Sequence, residues 1–149
     1  MNPGPSVYEC SPLQLDVFFK SENAHITIND FKKAGIKIYA DGNNGLEEKF
    51  LFHIQLLLEN KFISNKEFCS DNLKRIGIHL LHGNSVTIQE VDIRLTQKGH
   101  DFAKVINNKD VLAKLKSNFM DQPFDTIFEI GKELLKHVAK KKLDDIMSG

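Results

Sequence analysis

Apolar residues recur along most of this chain at helical spacing, and in one stretch they alternate instead. Ser11-Pro12 marks a helix start: a capping hydroxyl, then a residue whose φ is already helical and whose missing N–H is not needed there. Leu13, Val17 and Phe18 then share one face through about Glu22. Residues 1–10, with two prolines and a glycine, read as a loose lead-in. Ile26-Thr27-Ile28 reads as a short extended piece. Asn29 or Asp30 can cap a second short helix, Phe31 to Ala34, that Gly35 ends. Asp41-Gly42-Asn43-Asn44-Gly45 is the strongest turn signal of the chain. A long helix follows, Leu46 to Asn60, in which Leu46, Phe50, Ile54, Leu57 and Leu58 share an arc. Glu48, Gln55 and Glu59 form the opposite stripe. Phe52 and Leu56, one turn apart, make a second apolar stripe on the flank.

Beyond Phe62 and Ile63 lies a polar stretch, Ser64 to Asn72. Leu73 to His82 then alternates as a strand, with Ile76, Ile78 and Leu80 on one face. Gly83-Asn84-Ser85 is a hairpin turn, and Val86 to Leu95 is the return strand. Its alternation slips between Ile88 and Val91, which predicts a bulge near Gln89-Glu90. Thr96 caps a helix to about Ile106, and Asn107-Asn108 breaks it. Asp110 to Phe119 is a further helix with Leu112 and Leu115 inward. Asp121-Gln122-Pro123 opens a long helix to about Leu143, with Phe124, Ile127, Phe128, Leu134, Leu135 and Val138 over nearly half its circumference. Early Asp125 and Glu129 and late Lys140, Lys141 and Lys142 suit the helix dipole. This order predicts a mainly α chain with a small β-hairpin, of the α+β class. Its plan is a winged helix-turn-helix core over residues 1–106. A helical C-terminal extension, residues 107–149, would pack on that core or on a partner.

Composition narrows the class. The chain has 149 residues, 41% hydrophobic and 27% charged, as an ordinary globular domain does. Twenty basic residues balance 20 acidic ones. Zero net charge excludes binding nucleic acid by bulk charge alone, and equally an acidic DNA mimic. Cys10 and Cys69 have no redox or zinc spacing, so both are expected as free thiols in a reducing cytoplasm. No apolar run approaches about 18 residues, and no membrane segment is expected.

Residues 94–102, Arg-Leu-Thr-Gln-Lys-Gly-His-Asp-Phe, match an Arg-Leu-Thr-x-x-Gly-His-x-Phe signature. Residues 53–63, His-Ile-Gln-Leu-Leu-Leu-Glu-Asn-Lys-Phe-Ile, fit the helix that accompanies it. Through these segments the chain resembles a bacterial and phage family of unknown function, the one numbered 2513. The likeness covers roughly residues 46–142 and includes Lys114, Lys116 and Pro123-Phe124. Lys61 stands where that family usually has glycine, and Leu112 where it has tryptophan. The resemblance implies a winged-helix fold, no established activity, and a setting among mobile elements or phage defence.

Chemistry is sparse. His79 and His82, three apart on a strand, point to opposite faces and share no ion easily. His100 reads as a residue that packs the hairpin against the helix and donates a buried hydrogen bond. No phosphate loop, nucleophile motif or metal-ligand spacing occurs, so no enzyme activity, metal, cofactor or small-molecule ligand is expected. If the long helix entered a major groove, it would bring Glu48 and Glu59 toward phosphates, with only Lys49 and His53 as helpers. Lys74, Arg75, His82 and Asn84 on the hairpin are the better DNA-contact candidates. The second apolar stripe would meet either the C-terminal helix of the same chain or a partner chain; the candidate interface toward a protein partner or a homodimer is Phe52, Leu56, Phe124, Ile127, Leu134, Leu135 and Val138.

Overall fold

The computed structural model describes residues 7–42 and 45–148, and the side chains of 14–42, 45–83 and 85–148. Residues 1–6 of the expected lead-in, Asn43 and Asn44 of the expected turn, and the side chains of Leu13 and Asn84 lie outside the described set. The chain is mainly helical with small antiparallel sheets, an α+β arrangement. It divides into two compact units, Met1–His100 and Asp101–Gly149, with the boundary inside one helix.

In the first unit, α1 (Val7–Lys20) begins four residues ahead of the expected cap at Ser11. Val7 to Cys10 contain no breaker, so the helix extends upstream. Pro12 stands inside it with no N–H for the carbonyl of Tyr8. α2 (Ile28–Lys33) is capped by Thr27, one turn earlier than Asn29 or Asp30 would cap it. The Asp30 carboxylate accepts from the Thr27 backbone N–H at 2.8 Å, so Asp30 acts from the helix's first turn. A single antiparallel bridge, Tyr39 to Leu46, joins α2 to α3 (Glu48–Glu59) across the expected turn, where Gly42 has φ 78°. Leu46 thus lies in that bridge rather than in the helix. Phe31 meets Phe18 and Phe50 edge-on at 5.8 and 5.9 Å, tying the three helices together.

α3 ends in a left-handed turn. Lys61 has φ 61°, and its N–H donates to the Leu58 carbonyl at 2.9 Å. Phe62 N–H donates to the Leu57 carbonyl at 2.8 Å, and both side chains are buried. This is the Schellman arrangement, normally closed by glycine. β1 (Ile63–Asn65) follows directly and takes in the first two residues of the polar stretch.

The expected strand 73–82 is mostly not a strand. Leu73–Ile76 is a 3₁₀ turn, because the Asn72 side chain accepts from Arg75 N–H at 3.1 Å and Gly77 closes it at φ 96°. Only β2 (Ile78–Leu80) extends, pairing with β3 (Val86–Ile88) across the expected hairpin turn. The slip in alternation near Gln89 is a change of partner rather than a bulge. Gln89 N–H donates to the Gly77 carbonyl at 2.8 Å, and the chain then crosses to form β4 (Ile93–Leu95) against β1. A Cβ at Gly77 would overlap the Gln89 carbonyl oxygen, so this crossing requires glycine. Ile26 exchanges backbone hydrogen bonds with Ile93 at 2.7 and 2.9 Å, so β4 is flanked by β1 and Ile26.

α4 (Gln97–Asn107) is capped by Thr96, as expected: its Oγ1 accepts from Gly99 N–H at 3.0 Å and donates to the Lys61 carbonyl at 2.6 Å. A Cβ at Gly99 would collide with the Phe62 carbonyl.

In the second unit, the Asn108 side chain caps α5 (Lys109–Asn118), which buries Val111 and Leu115 and leaves Leu112 half-buried. α6 (Phe124–Ser148) runs past the expected end at Leu143. Phe102, Phe124 and Phe128 form a ring cluster with centroids 5.7 to 6.2 Å apart. Gly131 lets α6 approach closely, since a Cβ there would sit 2.6 Å from Val105 Cγ1. Because α6 continues, Lys140, Lys141 and Lys142 are not its last residues, and Asp144 and Asp145 follow them.

Two stability predictions follow from the first unit. Lys61→Gly relieves a left-handed non-glycine residue and should stabilise the fold by about 1 kcal/mol in urea unfolding. Gln14 is buried, and its Oε1 has no hydrogen-bond partner among the described residues. Gln14→Leu removes this orphan acceptor and should raise stability by roughly 1 kcal/mol, read the same way.

Candidate protein-interaction surface

α3 presents two chemically distinct faces. Its start is fixed by Glu47, whose carboxylate accepts from Phe50 N–H at 2.9 Å. From there the inward face takes Phe50, His53, Ile54, Leu57 and Leu58. His53 is fully buried, with Nδ1–H donating to the Lys49 carbonyl at 2.6 Å, so it presents no surface to a nucleic acid. The outward face carries Glu48, Lys49, Phe52, Gln55 and Glu59. Phe52 is 41% exposed and Leu56 is half-buried beside it.

Beside the start of α3 lies a depression of about 510 Å³, lined by Leu46, Glu48, Leu51, Leu80, Leu81 and neighbouring small residues. Leu80 and Leu81 are both more than half exposed. Leu80 was expected on the inward face of a long strand; β2 is only three residues long, and its end leaves Leu80 at the surface. Tyr39 is also exposed, with the Lys32 ammonium 5.4 Å from its ring centroid. The hairpin thus offers leucines where a backbone-reading hairpin would offer cations.

The hairpin candidates are scattered by comparison. Lys74 and Arg75 are exposed in the 3₁₀ turn, and Arg75 Nε lies 3.4 Å from an Asp71 carboxylate oxygen. His82 is exposed near Gly83. His79 pairs with Thr87 across the hairpin, and its Nε2 lies 3.1 Å from Gln89 Oε1. His100 is exposed, contrary to the buried role expected of it, and faces the edge of the Phe19 ring at 6.2 Å. It lies in the first turn of α4, whose inward position is taken by Gly99. On α6, Ile127 is buried, Phe124, Leu134 and Leu135 are half-buried, and Val138 is exposed. Among the described residues no three His, Cys, Asp or Glu side chains gather as a metal site would require. No described helix is long and apolar enough to cross a membrane.

A further exposed aromatic had no signal in the sequence. Phe68 is 77% exposed at φ 64°, a left-handed backbone that a bulky residue rarely adopts. Asn65 holds the turn: its Oδ1 accepts from Glu67 and Cys69 N–H at 2.9 and 3.0 Å. The Arg94 guanidinium lies 5.4 Å from the ring centroid. Nearby, Lys66 Nζ is 2.8 Å from Asp92 Oδ2. The Lys66 hydrogen bond, then its charge, hold the Asp92 carboxyl below its ordinary value.

Neither a family model, nor a curated protein, nor a solved structure matches the chain.

The Asp92 shift carries a pH prediction. A lowered folded-state pKa contributes stability above the unfolded value and loses it as pH falls through the folded one. A carbon-detected NMR titration should place the Asp92 midpoint below 3.8, and Lys66→Ala should move it upward toward that value.

Proposed function

We propose that this chain is a winged-helix protein that works through protein contacts, as a non-enzymatic adaptor or small regulatory component. The winged-helix reading is supported by the order of Ile26, β4 and β1 in hydrogen-bonded succession, with α2 and α3 between the first and last of them in sequence. The resemblance to the family numbered 2513 agrees with it and brings the phage or mobile-element setting. The single observation that carries the functional reading is the outward face of α3. It sets Glu48 and Glu59 beside an exposed Phe52 and a leucine-lined depression. Phosphates would meet carboxylates there, whereas an apolar side chain from a partner would meet Leu51, Leu80 and Leu81.

The test pairs two measurements. Fluorescence titration with labelled duplex DNA at about 20 mM and about 200 mM salt should show no saturable binding at either, since phosphate contacts strengthen as salt falls. Tagged protein recovered from its own cells should retain a stoichiometric partner, lost on Phe52→Asp or Leu81→Asp and kept on Lys74→Ala. Saturable, strongly salt-dependent DNA binding abolished by Lys74→Ala would overturn the reading in favour of a DNA-binding regulator.

A further inference from the structure

The last three turns of α6 carry an exposed apolar seam. Leu143, Ile146 and Met147 are 56%, 66% and 78% exposed. At about 100° per residue, Ala139, Ile146 and Met147 all lie within roughly 60° of Leu143 around the helix. The half-buried Leu135 extends the same stripe one turn back. On one flank of the seam stand Lys140 and Asp144, one helical turn apart. On the other side, Lys142, Val138 and Asp145 line a groove shared with Asp110 and Lys114 of α5, and the seam residues take no part in that groove.

The charges divide along the helix. In its earlier part each lysine has a local partner: Lys132 Nζ is 2.8 Å from Glu129 and Lys136 Nζ is 3.3 Å from Glu133. Lys140 and Asp144 enter no ion pair within 4.0 Å among the described residues. A basic block, Lys140 to Lys142, is therefore followed by an acidic block, Asp144-Asp145, on one exposed helix.

We propose that this seam pairs with the same seam of a second copy of the chain, antiparallel, crossing near residue 142. Antiparallel pairing about a twofold axis brings like flanks together with direction reversed. Lys140 of each copy then faces Asp144 of the other, while Leu143, Ala139, Ile146 and Met147 close over one another. A parallel pair would bring opposite flanks together, with Lys140 nearly level with Lys142 and Asp144 nearly level with Asp145, and like charges so placed repel. A seam of about 13 residues is about 20 Å long and falls at the small end of specific interfaces, so the dimer is weak and concentration-dependent. This pairing is independent of the α3 surface and does not rest on the reading given to it.

Sedimentation equilibrium of the full chain from about 5 μM to about 500 μM tests the proposal. The wild type should move from monomer to dimer across this range. Leu143→Asp with Ile146→Asp should stay monomeric with an unchanged circular dichroism spectrum, since both positions are exposed. Lys140→Asp alone should weaken association about fivefold, from two reciprocal surface pairs, and Lys140→Asp with Asp144→Lys should restore it. A wild type that stays monomeric throughout would overturn the proposal. So would association unaffected by the Leu143 and Ile146 substitutions, or a charge swap that fails to restore what the single reversal lost.

Discussion

The first unit depends on one junction of four residues. At Lys61 and Phe62 the chain leaves α3 through a left-handed turn, and at Thr96 and Gly99 it enters α4. Thr96 N–H donates to the Phe62 carbonyl at 2.9 Å while its hydroxyl donates to the Lys61 carbonyl. Gly99 makes room for the Phe62 carbonyl by lacking a side chain. Two segments 35 residues apart are thereby clamped through the Lys61 and Phe62 carbonyls, just beyond the end of α3, while the Lys61 and Phe62 N–H groups serve the helix-end carbonyls of Leu58 and Leu57. The clamp also sets the register of β1 on β4, since Ile63 opposite Leu95 is the pair adjoining it. Slipping β4 by one residue would turn buried Ile93 and Leu95 outward.

Much else follows from that register. Ile93 is shared between β1 and Ile26, so the segment before α2 is anchored through the same strand. Arg94, alternating outward between Ile93 and Leu95, lies beneath Phe68 and helps hold a turn whose backbone is strained. Of the nine-residue signature, Leu95, Thr96 and Gly99 serve this junction and Arg94 serves its outer face. His100, expected to pack the hairpin against the helix, lies exposed beside Phe19.

The helices were legible because burial and the 3.6-residue period agree in them. The inward arc of α3 contains Phe50, Ile54, Leu57 and Leu58 as the pattern requires, and the Thr96 cap stands where the hydroxyl predicted it. The strands were not, for a physical reason: alternation specifies faces, not partners. Residues 73–95 read as one long hairpin, yet Asn72 and Gly77 turn the chain early and Gln89 hands it to another strand. The α3 surface was half legible. Phe52 and Leu56 appear in the periodicity, whereas Leu81 becomes part of a depression only through folding. The left-handed backbone of Phe68 had no sequence signal, because four hydrogen bonds between Asn65 and residues 67–69 impose it and none follows from the type of residue 68.

The β1–β4 ladder has a topological consequence. Both ends of residues 66–92 emerge from adjacent positions of one ladder, at Asn65 and Ile93. The segment is an excursion that leaves and returns through a single gate, and loop closure costs little more for a long excursion than for a short one. Its length and tip are free to drift between related chains, or to be exchanged, while the gate and the helices behind it stay fixed. The leucine-lined surface beside α3 is built partly from the tip of that excursion, so its shape and chemistry can change there while the β1–β4 gate is kept.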